Sequence, residues 1–110
     1  MRFQLAALFL LLSSISFGQT KHLFISDAGN FQNGPWQIVR CEMDGSNPET
    51  FISTFLGWPQ DIYFLENQNL CLVSNLTTNN ITKYNPQTGE YLGVFATGIS
   101  GATRFAMGDD

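Results

Sequence analysis

Residues 58–61 read Trp-Pro-Gln-Asp and bring three ligand-capable side chains into four positions. The Trp58 indole offers a face for stacking, and Gln60 and Asp61 offer an amide and a carboxylate for hydrogen bonding. Asp27 and Asn75 add two more polar groups, at matching ends of the apolar runs HLFISD and NLCLVSN. Each has a structural alternative: Trp58 can serve as packing, and Asp27 and Asn75 can cap turns. Other chemistries are poorly served. The only histidine is His22, so a Ser-His-Asp arrangement has a single possible base. There is no CxxC pair for zinc, and Asp27 with Asn30 does not follow the calcium-loop spacing. No glycine-rich phosphate cradle occurs. No catalytic residue, metal ligand or cofactor is therefore assigned. Asn75-Leu-Thr and Asn80-Ile-Thr fit the N-glycosylation pattern, which matters only in a eukaryotic secretory pathway.

The elements that must position these groups begin after a leader. Arg2 supplies a positive start, LAALFLLL (5–12) an apolar stretch, and Ser16 and Gly18 small residues for cleavage after Gly18. This is the pattern of a secretory signal peptide over 1–18, too short to span a bilayer. It predicts a secreted or periplasmic, bacterial protein with no membrane span. Without Arg2 the chain carries four Lys/Arg against nine Asp/Glu and no basic cluster, which disfavours nucleic acid. Cys41 and Cys71 lie inside apolar runs, where free buried thiols are expected more than a bridge.

From residue 22 onward the chain reads as short strands rich in Ile, Val, Phe, Tyr and Thr: HLFISD, QIVRCEM, TFISTF, DIYFL, NLCLVS, ITKYN, YLGVFAT and TRFAM. Turn chemistry such as DAGN, DGSNP, TTNN and NPQTG separates them. No helical apolar stripe of useful length occurs, so the fold class is all-β. An offset of 43 residues lays Ile38 on Ile81, Arg40 on Lys83 and FIST (51–54) on VFAT (94–97); an offset of 48 lays LFISD on CLVSN. A period of about 40–45 residues holding four strands is that of a β-propeller blade.

The stretch WPQDIYFLENQNLCLVSNLTTNNITKYNPQTGEYLGVFATG resembles the repeat of secreted NHL-like, YVTN-like and TolB-like propellers. Pro59, Ile62, Phe64, Asn69-Leu70, Val73, Asn75, Asn80-Ile81, Tyr84-Asn85, Thr88-Gly89 and Leu92 carry the resemblance. Gln60-Asp61 depart from it, standing where that family prefers glycine. The resemblance implies blades of four antiparallel strands: a first over 22–57 lacking its inner strand, a second over 58–99 and the start of a third over 100–110. It further implies an incomplete ring, of about 250–350 residues when whole, closed by the remaining blades. Propeller ligands approach the loops entering the innermost strands, which here is LGWPQD (56–61), so Trp58, Gln60, Asp61, Asp27 and Asn75 become the candidate ligand-binding residues. The expected function is a scaffold for a protein or carbohydrate ligand. The alternative is the N-terminal part of a gluconolactonase-like or streptogramin-lyase-like enzyme.

Overall fold

The β-branched and aromatic runs form strands and the Gly/Asn/Pro clusters turn them. A computed structural model describes residues 21–109, with the side chain of Gln32 excepted; the expected leader over 1–18 lies outside them. Seven strands form: β1 His22–Asp27, β2 Gln37–Glu42, β3 Glu49–Ile52, β4 Pro59–Leu65, β5 Leu70–Asn75, β6 Asn80–Tyr84 and β7 Tyr91–Thr97. They make two antiparallel meanders, a three-stranded sheet in the order β1-β2-β3 and a four-stranded sheet in the order β4-β5-β6-β7. Among the described residues helix is limited to single 3-10 turns at Phe31–Asn33 and Glu66–Gln68. The protein is thus mostly β. Among the described residues no helix is long and apolar enough to cross a membrane.

Burial explains the differing strand patterns. β5 is interior to its sheet, and Cys71 through Asn75 are all buried, so LCLVSN reads as a continuous run. β1 is an edge strand, and its Leu23 and Ile25 are exposed while Phe24 turns inward. Both sheets share one core of Ile38, Phe51, Ile52, Cys71, Val73 and Tyr84. Phe24 closes the seam, with ring centroids 4.8 Å from Phe64 and 5.2 Å from Phe51. Cys41 and Cys71 are both buried and free.

One expected strand does not form. TRFAM (103–107) has no ladder, although it runs beside β4. The backbone N–H of Phe105 donates instead to the Asp61 carboxylate, at 2.8 Å. That single side-chain contact ties the segment to β4 without making it a strand.

The turn after β6 is fitted against β3. Gly89 has φ +78°, and a Cβ there would stand 2.1 Å from the Phe51 carbonyl oxygen. Gly45, in the β2–β3 turn, has φ +88° but open space around it. Gly45→Ala is therefore expected to cost about 1 kcal/mol, the strain of left-handed backbone alone. Gly89→Ala must also displace β3 and is expected to lower the melting temperature by clearly more. Equal shifts in thermal unfolding of the two variants would show that the Gly89–Phe51 approach does not constrain the sheets.

Candidate functional site

The five candidate residues gather where β1 and β5 end and β4 begins. The Ser26 hydroxyl donates to the Pro59 carbonyl at 2.6 Å, bringing the end of β1 to the start of β4. The linker 53–58 arrives there from β3, and Leu76 and Thr77 donate backbone N–H groups to the Trp58 and Gly57 carbonyls, at 3.2 and 3.1 Å.

Asn75 is the hub of this end and is fully buried. Its Oδ1 accepts from Gly57 N at 3.0 Å, and its Nδ2 lies 2.9 Å from Thr82 Oγ1 and 3.2 Å from Asn80 Oδ1. Thr82 donates onward to Tyr84 OH at 3.0 Å, and Tyr84 donates to Thr54 O at 2.9 Å. This chain fastens both ends of the linker to the interior of the second sheet. Asn75 presents no surface to a ligand or a glycosyltransferase, so its place is structural.

Asp27 is a turn clamp. Its Oδ1 accepts from Gly29 N at 2.9 Å and its Oδ2 from Gln37 Nε2 at 3.1 Å. Gln37 in turn accepts from Thr50 Oγ1 at 2.6 Å, so one side-chain line crosses β1, β2 and β3.

Gln60 and Asp61 occupy an irregularity in the β4–β5 register between Pro59 and Ile62. There the Asp61 N–H donates to the Ser74 hydroxyl, at 3.0 Å, in place of a ladder carbonyl. The carboxylate accepts from Ile62 N through Oδ1 and from Phe105 N through Oδ2, at 2.9 and 2.8 Å. Register breaks of this kind re-aim side chains. Gln60 and Asp61 line an open cavity of about 590 Å³ whose far wall is Thr103, Arg104 and Phe105.

Trp58 is half-buried with φ +52°, a costly conformation for a bulky side chain. Its ring meets Phe31 edge to face at 5.7 Å, and Phe31 is itself 61% exposed with φ +46°. Phe31, Thr103, Arg104 and Phe105 were not singled out in the sequence. The one signal for Phe31 is its place in the loop that is five residues longer than its counterpart after β5. Among the described residues no group of three or more His, Cys, Asp or Glu could hold a metal ion.

No family model, curated protein or solved structure matches this chain. The geometry of the site offers stacking and hydrogen-bonding surface at Trp58, Phe31 and Gln60. Asp27 and Asp61 have both oxygens engaged.

Asn75→Ala removes the acceptor of Gly57 N and the donor to Thr82. Each buried group left unpaired costs about 1–3 kcal/mol, so a loss on the order of 3 kcal/mol or more is expected in denaturant unfolding. A loss under about 1 kcal/mol, the size of an average single substitution, would remove Asn75 as the hub.

Alkaline pH should attack the same region. Burial pushes the Tyr84 hydroxyl up from 10.0 to about 12 and the Cys71 thiol from 9.0 to about 12. Both are held neutral in the fold, so their stabilisation is complete below about pH 9. It is lost as the pH rises towards 12, because the unfolded chain ionises first. Unfolding midpoints should fall over that window, and Cys71→Ser should flatten its lower half. A midpoint constant from pH 8 to pH 11 would contradict the burial of both groups.

Proposed function

We propose that the two sheets are successive blades of a secreted β-propeller, and that the Trp58 end is a non-catalytic binding site for a protein or carbohydrate partner. One observation carries the architecture. β1 lies 48 residues before β5 with the same length, and β2 begins 43 residues before β6. The pairing order β1-β2-β3 repeats in β5-β6-β7, leaving β4 as the strand without a counterpart. Burial follows the same correspondence. Cys71 and Val73 are 0% exposed because the first sheet packs on their face, whereas Leu23 and Ile25, at the matching places in β1, are 39% and 48% exposed, as a face awaiting a neighbouring blade would be. On this reading a further strand covers β1, further blades close the ring, and the leader-like residues 1–18 export the protein.

Binding is favoured over catalysis because every oxygen of the two carboxylates near the site already holds an amide donor. A general acid or base needs an oxygen free to reach a substrate. The enzyme alternative has no comparable observation behind it.

Hydrogen exchange on the exported full-length protein tests the architecture. β1 amides that do not donate to β2 should exchange as slowly as those inside β5; exchange at open-edge rates would refute the covering strand. A photo-crosslinking residue at position 60 tests the site. A discrete partner adduct is expected from position 60, and Trp58→Ala should abolish it. Absence of any adduct, or one indifferent to Trp58→Ala, would place the binding surface elsewhere.

A further inference from the structure

A second cavity of about 590 Å³ lies between the sheets at the opposite end, where β1 begins and β4 ends. The volume is in the range of small-molecule sites. Phe24 from β1 and Phe64 from β4 form its floor, tilted at 56° to one another. The floor is braced from behind. Phe51 abuts Phe24 edge on, and the Arg40 guanidinium sits 5.1 Å over the Phe51 ring. Arg40 also reaches the cavity, with Glu66, Asn69 and Gln87 around the rim.

Charge narrows the ligand class. Arg40 is the one Lys or Arg in the lining, and its Nε already donates to Glu49 Oε1 at 2.9 Å. Glu66 supplies a carboxylate to the same lining, and the nearby His22 ring faces Glu42 at 3.9 Å. An anion would meet these carboxylates, and a cation would meet the guanidinium. A neutral ligand with one apolar face and several hydroxyls meets neither penalty. Its C–H face can lie on the phenyl floor. Its hydroxyls can donate to Glu66 and accept from Asn69, Gln87 and the remaining guanidinium N–H groups.

We propose that this inter-sheet cavity binds a neutral hexose unit, with Phe24 and Phe64 as the platform and Glu66, Asn69 and Gln87 as the hydroxyl-reading rim. This site is separate from the Trp58 end and does not depend on what binds there.

His22 is the only histidine in the chain and lines the cavity, so its imidazole gives a single proton NMR reporter. Methyl glycosides of glucose, galactose and mannose, titrated into the full chain, should include one that shifts this signal saturably. Glu66→Ala and Gln87→Ala, at exposed turn positions, should each weaken that binding about fivefold, the loss of one hydrogen bond. Ser100→Ala, exposed and outside both sites, should leave it unchanged. Benzoate and benzylammonium serve as charged probes of similar size. The proposal is overturned if no glycoside gives a saturable shift, if the rim variants bind like the parent, or if either charged probe binds more tightly than every glycoside.

Discussion

The hydrogen-bonded line from Gly57 N through Asn75, Thr82 and Tyr84 to Thr54 O sets how the two sheets meet. Asn75, Thr82 and Tyr84 are buried, where an unpaired polar group is expensive and a satisfied one is strongly directional. Both anchoring points on the linker are backbone groups. The linker is therefore held by polar contacts on a sheet whose remaining core is apolar, and its path cannot slide without leaving several buried groups unpaired. Hydrophobic packing alone would tolerate such a slide, because Phe24, Phe51 and Phe64 present ring faces and edges that re-pack at modest cost. The polar line supplies the uniqueness, and the core around Ile38, Ile52, Cys71 and Val73, with Phe24 and Phe64 packed against it, supplies apolar burial.

The Trp58 end follows from that constraint. With Gly57 and Thr54 pinned, the chain must enter β4 within a few residues, and Trp58 absorbs the change of direction at φ +52°. Gly57 has no room for a side chain, since a Cβ would stand 2.6 Å from Thr78 Cγ2. The register irregularity that follows frees the Asp61 N–H for Ser74 and turns the carboxylate towards Phe105. The residues proposed to meet a partner are thus fixed by the same contacts that orient the sheets. A preformed surface loses little conformational entropy on binding.

Strand placement was largely legible in the sequence, because HLFISD and YLGVFAT combine β-branched and aromatic residues with turn signals on both sides; β1 and β7 have the bounds read from them. β3 is shorter than TFISTF suggests, ending at Ile52, because the linker contacts to Tyr84 draw residues 54 and 55 out of the sheet. TRFAM has strand composition too, but among the described residues no strand pairs with it, and its Phe105 amide goes to the Asp61 carboxylate. Composition carries no information about whether a partner strand lies alongside. The candidate site was legible as a location only. Asp27 and Asn75 were read as ligand groups or turn caps, and both readings missed that Asn75 would be sealed by Gly57, Asn80 and Thr82. That outcome depends on cross-strand register, which pairs Asn75 with Asn80 and Val73 with Thr82.

Register also explains why the two ends of the molecule differ in character. At the Trp58 end the polar side chains of Asp27, Asn75 and Asp61 point at backbone amides, so their hydrogen-bonding capacity is spent on the fold. At the His22 end backbone pairs, such as Asn85 N to Glu90 O and Gly89 N to Asn85 O, both at 2.8 Å, share that work with the Asn85 side chain, whose Oδ1 accepts from Gln87 N and Thr88 N at 2.8 and 3.0 Å. Glu66 and Gln87 still stand exposed around an aromatic floor, with Gln87 Nε2 3.4 Å from Asn69 Oδ1. A surface with exposed polar side chains over partly buried rings is better suited to reading the hydroxyls of a small ligand. The Trp58 end, where both carboxylates already hold amide donors, is better suited to shape and stacking.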